Sequence, residues 1–189
     1  MIEFVRISTW DAEFVAAIRR HYTGSRGAPP GKKMAWQINW CGDPLGWYGI
    51  GEPAYKLAAR RALGIADARP LEFTISNFIF RIERHDGIVA PVSSAILRAA
   101  TEQSERDWHD KYGWSPIHTE TMVDPASVGV GHDAHVAAYC FRRAGYRSIG
   151  YTTGRTARRP PGATHGSRVW GESSPKLVLY KGPLHRVNA

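Results

Sequence analysis

The sequence has little cysteine, no long apolar run and almost no acid in its last quarter. Two cysteines, Cys41 and Cys140, are too few for a disulfide framework, so a reducing cytoplasm is the expected location. No stretch approaches the ~18 apolar residues of a membrane span. The first residues, MIEFVRISTWDAEF, carry acids where a secretion signal is basic. Secreted, membrane-spanning, collagen and coiled-coil proteins are therefore excluded.

Familiar catalytic and nucleotide-binding motifs are also absent: the sequence has no GxxxxGK[ST], GxGxxG, CxxC or GxSxG. His132 and His135 stand three residues apart at a predicted helix start, as metal-binding imidazoles can. Three further residues would complete such a site: Asp124, His118 and His165. Helix starts often carry polar residues, so the two histidines alone assign no metal.

What is present indicates one folded domain over residues 1–189. Seven Trp, eight Tyr and six Phe supply more aromatic surface than a disordered chain carries. Periodicity predicts strands over Glu3–Ser8, Met34–Trp40, Leu45–Gly51, Leu71–Glu83, Pro116–Val123, Tyr146–Thr152 and Leu177–Tyr180. It predicts helices over Ala12–Tyr22, Ala54–Leu63, Pro91–Tyr112 and Asp133–Ala144. This alternation predicts an α/β fold, a central mixed sheet flanked by helices. The strands Leu71–Glu83 and Pro116–Val123 are expected to be its central neighbours, joined by the helix Pro91–Tyr112 in a right-handed crossover.

The positive charge is concentrated at one end of the chain. Residues 1–140 hold 15 Lys and Arg against 16 Asp and Glu, whereas residues 141–189 hold ten against one. A Gly-, Pro- and Arg-rich loop is predicted over about residues 153–174. The end is either a solvated basic tail or a surface for a polyanion. Tyr146, Tyr151 and Trp170 favour nucleic acid, because bases stack on aromatic rings. The predicted DNA contacts are Arg155, Arg158, Arg159, Arg168 and Lys176.

Two carboxylates fall on one face of the strand Pro116–Val123 and just beyond it. Glu120 and Asp124 are separated by four residues, an even spacing that places them on the same side of a strand. Either is a candidate general base if burial raises its pKa. The alternative for Asp124 is structural, because an Asp-Pro pair commonly starts a turn and Pro125 follows it.

Small residues begin the helix predicted over Pro91–Tyr112. Ser93, Ser94 and Ala95 would leave backbone N–H groups and the positive helix end open to a phosphate or diphosphate. These serines are therefore candidates for binding a cofactor or group donor. The alternative is ordinary N-capping by Ser93.

Several segments, taken in order, resemble proteins of the GNAT acyltransferase fold. They are similar above all to the Mom-type DNA-modification proteins of phages and to the related family found with transposons and the Druantia defence system. The matching segments are His21-Tyr22-x-Gly24, Pro44-Leu45-Gly46 with Gly49, Tyr55-Lys56-Leu57-Ala58-x-Arg60, Ser94-x-Ile96-Leu97, Asp107-Trp108 with Tyr112-Gly113, Glu120-Thr121-x-Val123-Asp124-Pro125, Cys140 and Gly150-x-Thr152-x-Gly154-Arg155.

The resemblance implies a transferase that places a small acyl or glycinamide-type group on a nucleobase, the adenine amino group, in double-stranded phage DNA. It implies a phage protein that protects DNA from restriction in the bacterial cytoplasm. Asp124 would then be the base, with Glu120 second. Tyr22 would place donor or substrate, and Ser94 would bind the donor. Tyr22, Trp36, Trp40, Trp47 and Tyr48 are candidates to line the pocket of a flipped base. The alternative is that most of these aromatic residues belong to the core.

The sequence departs from these families at three points. An Arg common in their long strand is replaced here, around Ser76-Asn77. Phe141 occupies the place of a helix tyrosine, and the usual diphosphate loop of acyl-CoA enzymes, Arg/Gln-x-x-Gly-x-Gly/Ala, is absent. The donor therefore stays open between acyl-CoA and an amino-acid-derived molecule. Two alternative functions follow: a non-catalytic DNA-binding accessory protein on a GNAT scaffold, and an N-acyltransferase for a small amine.

Overall fold

The computed structural model describes residues 1–21, 28–83, 90–124, 138–152 and 175–183. Its strands are β1 (Ile2–Ile7), β2 (Lys33–Trp40), β3 (Asp43–Gly51), β4 (Thr74–Ile82), β5 (His118–Val123), β6 (Arg147–Tyr151) and β7 (Leu177–Lys181). Its helices are α1 (Ala12–His21), α2 (Ala90–Tyr112) and α3 (Tyr139–Arg143), with a 3₁₀-helix over Ala58–Leu63. All seven predicted strands are present, as are the predicted helices that become α1 and α2. Of the helix predicted over Asp133–Ala144, the part before residue 138 lies outside the described residues.

The described strands form one seven-stranded sheet in the order β1-β2-β3-β4-β5-β7-β6. β4 and β5 lie at its centre and pair in parallel, whereas the other neighbouring strands pair antiparallel. The chain passes from β4 to β5 through α2, as a parallel pair requires a crossover. The predicted central pair and its connecting helix are confirmed.

Apolar side chains cover both faces of the sheet. Met34 and Trp36 of β2 pack into the core beneath α2 and α3, while Ala35 between them packs with α1 on the opposite face. This alternation follows from the two-residue period of a strand. Leu57 and Ala59, at the 3₁₀-helix, pack on Val178 of β7 and complete the α1 side.

The predicted base-stacking aromatics are largely core residues, which corrects that expectation. Trp36, Trp47 and Tyr48 are buried, and the Trp36 Nε1 donates a hydrogen bond to Asp107 Oδ2 at 2.8 Å. Tyr146 is also buried and cannot stack on a base at the surface. Trp40 is partly exposed at the end of β2, and Tyr151 is exposed at the end of β6.

Local contacts explain where α1 begins and where the 3₁₀-helix ends. Asp11 caps α1, because its Oδ1 accepts hydrogen bonds from the backbone N–H groups of Glu13 and Phe14, both at 3.0 Å. The helix predicted from Ala54 is shorter than expected and forms only the 3₁₀-helix Ala58–Leu63. Gly64 ends it with a φ of 81°, a left-handed conformation that glycine adopts readily. Within the described residues, no helix is both long and apolar enough to cross a membrane.

Candidate active site

The central strands part beyond a short paired stretch. β4 and β5 pair only from Thr74 with His118 to Asn77 with Thr121. β4 then continues to Ile82 and β5 to Val123, and the facing edges of the two strands are no longer joined by a ladder. Backbone N–H and C=O groups along these edges need other partners. The sheet therefore opens a cleft next to Asn77 and Thr121.

A bulge in β4 lies at the start of this cleft. Gly49 of β3 faces Ile79 and Ile50 faces Asn77, which leaves Phe78 without a partner in the ladder. The Asn77 side-chain amide donates to the carbonyl oxygens of Gly49 and Ile79, both at 3.0 Å, and so stabilises the bulge. A Cβ at Gly49 would lie 2.7 Å from the Phe78 Cζ, so the absence of a side chain there gives the Phe78 ring its place.

A cavity of about 420 Å³ adjoins the bulge on the α1 side of the sheet. Strand residues form its floor, and two loops form its walls. The lining residues are Pro29, Pro30, Gly31, Glu52, Pro53, Ala54, Tyr55, Ser76, Phe78 and Met122. Its volume lies in the range of small-molecule sites, about 300–1,000 Å³. The cavity thus meets the cleft at Phe78 of β4 and Met122 of β5.

Glu52 is the one charged residue among these lining residues. Its carboxylate lies directly over Gly31, where a Cβ would overlap the Glu52 Oε2. Gly31 also has a φ of 86°, which an L side chain rarely adopts. The nearby Lys33 ammonium is held by the carbonyl oxygen of Pro29 at 2.9 Å and by the ring of Trp10. Among the described residues Glu52 has no ion-pair partner.

Glu120, predicted as a possible base, is held in a buried ion pair with Arg60. The Arg60 Nη2 lies 2.6 Å from the Glu120 Oε1, and the Arg60 Nε donates to the Oε2 at 3.0 Å. Burial raises the pKa of the Glu120 carboxyl, and the bond to Arg60 opposes that rise. Both carboxylate oxygens are engaged, so the structure does not place Glu120 as an open base.

The Arg60 guanidinium also binds the backbone of the cavity wall. Arg60 also donates to the carbonyl oxygens of Ala54 at 2.9 Å and Ala68 at 3.0 Å. Ala54 lines the cavity, and Glu120 precedes the lining residue Met122 by two positions on β5. The ion pair therefore joins the segment 54–68 to the strand that forms the cavity floor.

Asp124, predicted as a base, and Lys176, predicted as a DNA contact, lie next to each other in the structure. They follow β5 and precede β7 at adjacent positions, since Val123 pairs with Leu177. Burial lowers the pKa of the Lys176 ammonium, and the Asp124 charge opposes that shift. Asp124 is partly exposed and lies two residues beyond Met122, at the cleft end of β5.

Thr152, the last described residue before the segment 153–174, is hydrogen-bonded to Lys176. The Thr152 N–H donates to the Lys176 carbonyl oxygen, and the Lys176 N–H donates to the Thr152 Oγ1, both at 2.9 Å. Thr152 and Lys176, which flank the segment 153–174, are thus paired with each other next to Asp124. Four of the predicted DNA contacts, Arg155, Arg158, Arg159 and Arg168, lie outside the described residues.

The predicted donor-binding serines lie in the first turn of α2. Since α2 begins at Ala90, Ser93 is inside the helix, and its predicted alternative role as N-cap is wrong. Ser94 is buried, while Ser93 is partly exposed. Of the two hydroxyls, Ser93 is the one that a ligand at this helix start can reach.

The other predicted site residues, Tyr22 and the metal-binding candidates, form no site among the described residues. Tyr22, His132, His135 and His165 lie outside them. His118 is buried, and its Nδ1 is 2.5 Å from the Tyr180 hydroxyl, with the two rings stacked. No group of three or more potential metal ligands occurs in the part of the chain that the structure describes.

Sequence reasoning missed the residues that line the cavity. Ser76, Phe78 and Met122 belong to predicted strands, where an apolar or small residue indicates only core packing. The pairing irregularity at Phe78 has no signature that a single sequence displays. Glu52 did have a signal: an acid between Gly51 and Pro53 at the end of a strand is a conspicuous charge beside a turn.

Solved structures share this architecture. An IAA acetyltransferase from Bacillus cereus is similar with a TM-score of 0.52 and 12% sequence identity, over 96% of this chain and 99% of that one. The aminoglycoside acetyltransferase AAC(6')-Ib, solved with coenzyme A, gives 0.53 and 13%, over 96% and 95%. The same enzyme solved with paromomycin and acetyl-CoA gives 0.53 and 13%, over 100% and 98%. No protein-family model and no curated protein matches the sequence.

The chain therefore has the fold of the GNAT acetyltransferases, as the sequence resemblance implied. Nothing in these comparisons links it to the Mom-type proteins. The parting of β4 from β5, the bulge at Phe78 and the adjoining cavity are the features of this fold on which a function can be argued.

Proposed function

We propose that this protein is an N-acyltransferase that transfers an acyl group from acyl-CoA to an amine held in the cavity. The observation that supports this most directly is the end of β4–β5 pairing at Asn77 and Thr121, next to the bulge at Phe78 and the cavity. Donor and acceptor can then approach one point from the two sides of the sheet.

The cleft suits the chemistry of coenzyme A. Its pantetheine arm contains two amide groups, which can pair with backbone groups on the strand edges that β4 and β5 leave open. Its diphosphate can bind the positive N-terminal end of α2, where Ser93 is partly exposed. The structures of the similar aminoglycoside acetyltransferase contain coenzyme A or acetyl-CoA.

The transfer requires a neutral amine. Its nitrogen lone pair attacks the thioester carbonyl, a carbon–nitrogen bond forms, the carbon–sulfur bond breaks, and the thiolate takes up a proton. The amine loses a proton in the same process. Asp124, two residues beyond the cavity residue Met122, is the carboxylate we propose as the base that accepts it.

The test is the release of coenzyme A thiol from acetyl-CoA in the presence of amines, followed with a thiol-reactive dye, together with calorimetric titration of coenzyme A. We expect saturable binding of coenzyme A and thiol release that depends on the added amine. The reaction without amine is the control for plain hydrolysis. Failure to bind coenzyme A would contradict the proposal.

A nucleobase of DNA is the second candidate acceptor. The observation that favours it is the concentration of ten Lys and Arg against one acid over residues 141–189, together with the position of Thr152 and Lys176, which flank the segment 153–174, beside Asp124. Such a segment could hold phosphates near the candidate base. In the alternative without catalysis, the same surface would bind DNA on a scaffold that transfers nothing.

DNA affinity is expected to fall steeply with salt if this second candidate is correct. Each phosphate that the protein neutralises contributes about −0.9 to the slope of log K against log salt concentration. Replacing Arg155, Arg158, Arg159 and Arg168 together by Gln should therefore make the slope shallower by about 3–4. Fluorescence anisotropy with duplex DNA at 50–200 mM salt, a range chosen around physiological strength, measures it. Equal affinity across that range would refute phosphate binding.

A further inference from the structure

The cavity has two chemically different ends. Phe78 and Met122 lie at the end that meets the cleft, whereas Glu52 lies at the other end, beside Gly31. Gly51 faces Ser76 across the β3–β4 ladder, and Glu52 follows Gly51 away from Phe78. At about 3.3 Å per strand residue, the three positions from Phe78 to the level of Glu52 correspond to about 10 Å.

The surface between the two ends is mostly apolar. Pro29, Pro53 and Ala54 line the walls, and the Ser76 hydroxyl is the polar side-chain group on the floor. Such a surface fits a hydrocarbon segment and gives no partner to further charges. Glu52, unpaired among the described residues, offers a carboxylate to a cation at the far end.

We propose that the acceptor is a diamine, or an amine with a second cationic group, whose two charges are separated by an apolar spacer of about 10 Å. One nitrogen reacts at the Phe78 end, and Glu52 binds the other as an ammonium ion. The proposal rests on the acyltransferase function given above and adds the class of acceptor and the residue that selects it.

The two ends need nitrogen in different protonation states. The reacting nitrogen must lose its proton to attack the thioester, whereas the Glu52 carboxylate favours the charged form of the nitrogen it contacts. A monoamine of the same length would place its single ammonium on Glu52 and leave a methyl group at the reacting end. Glu52 therefore selects for a second charge and against amines that have only one.

Binding can be measured without any reaction. The chain has three methionines: Met1 at the N-terminus, Met34 in the core and Met122 in the cavity. With ¹³C-labelled methionine methyl groups, titration of 1,8-diaminooctane should shift the Met122 signal and leave those of Met1 and Met34 unchanged. Glu52 is exposed at the mouth of the cavity, so Glu52→Gln should weaken this binding about two- to five-fold, the usual effect of losing an exposed ion pair.

The kinetic test compares 1,8-diaminooctane with octylamine as acceptors of acetyl from acetyl-CoA. We expect wild type to prefer the diamine, and Glu52→Gln to raise KM for the diamine about two- to five-fold with little change for octylamine. Glu72→Gln, which removes the same charge at an exposed position outside the cavity, is the matched control. Glu72→Gln should leave KM unchanged for both the diamine and octylamine.

The outcomes separate this inference from the function on which it rests. If octylamine reacts as well as the diamine, or if Glu52→Gln changes both substrates equally or neither, the selection by Glu52 is refuted while the acyltransferase function stands. If the diamine shifts Met122 in a Glu52-dependent way but no coenzyme A is released, the diamine site is supported and the proposed function fails.

Discussion

Replacing Arg60 by methionine is expected to lower the free energy of unfolding by about 3–5 kcal/mol. The change leaves the Glu120 carboxylate buried without its partner, and it removes the donors to the carbonyl oxygens of Ala54 and Ala68. A buried charge that loses its partner pays the full cost of desolvation. Urea unfolding followed by the fluorescence of the seven tryptophans measures the loss.

The size of this loss should depend on pH. Burial raises the pKa of Glu120, and the variant lacks the Arg60 contact that opposes the rise. The folded-state pKa then lies further above that of the unfolded chain. Such a group costs stability increasingly as the pH rises through its folded-state pKa. Arg60→Met should therefore be more destabilised at pH 8 than at pH 5, two values on either side of neutrality.

Arg69 provides the matched control, because it lies on the same segment and its pair with Asp67 is exposed. Arg69→Met should change the free energy of unfolding by less than about 1 kcal/mol, as is usual for a surface ion pair. The double variant Arg60→Met/Glu120→Leu should recover most of the stability, since replacing both partners of a buried pair by apolar residues is often neutral. A loss in Arg60→Met no larger than that of Arg69→Met would contradict the buried pair.

Asp124→Asn is expected to lower the rate of acyl transfer by about 10²–10⁴-fold, the usual contribution of a positioned acid or base. The substitution preserves size and removes the charge at the cleft end of β5. Coenzyme A binding and the melting temperature should change little, because Asp124 is partly exposed and lies beyond the last paired residue of the strand. Thiol release from acetyl-CoA with 1,8-diaminooctane measures the effect.

Lys176→Met separates catalysis by Asp124 from a structural contact. The charge of Asp124 acts on Lys176, so a purely structural role would give the two variants equal losses of stability and leave transfer intact in both. A base at Asp124 instead predicts a large loss of rate in Asp124→Asn alone. Full activity of a folded Asp124→Asn protein would refute the assignment.

Much of the fold could be predicted because the signals are local. The strand Leu71–Glu83, the helix Pro91–Tyr112 and the strand Pro116–Val123 were expected at the centre and appear there as β4, α2 and β5. Periods of two and of three to four apolar residues are set by backbone geometry alone. The helix expected from Ala54 is shorter in the structure. The Ala54 carbonyl accepts a hydrogen bond from the Arg60 side chain, which the distant Glu120 holds in place, and not from a helical N–H.

The site could be predicted less well, since it depends on contacts between distant parts of the chain. The even spacing of Glu120 and Asp124 predicts one shared face, and Asp124 follows the last residue of β5. The spacing contained no information on Arg60, which is 60 positions away and engages both oxygens of Glu120. Trp36 and Tyr48 were candidates for a base pocket and Tyr146 for stacking on bases, and all three are buried in the core.

The sequence by itself determined the alternation of strands and helices and the separation of a basic end from a nearly neutral body. These follow from periodicity and composition, which each segment displays without reference to the others. Only the tertiary structure decided that β4 and β5 part after Asn77 and Thr121, that Phe78 bulges, and that Glu52 faces a mostly apolar cavity. Strand pairing and burial arise when segments far apart in the chain meet, so they are properties of the packed molecule.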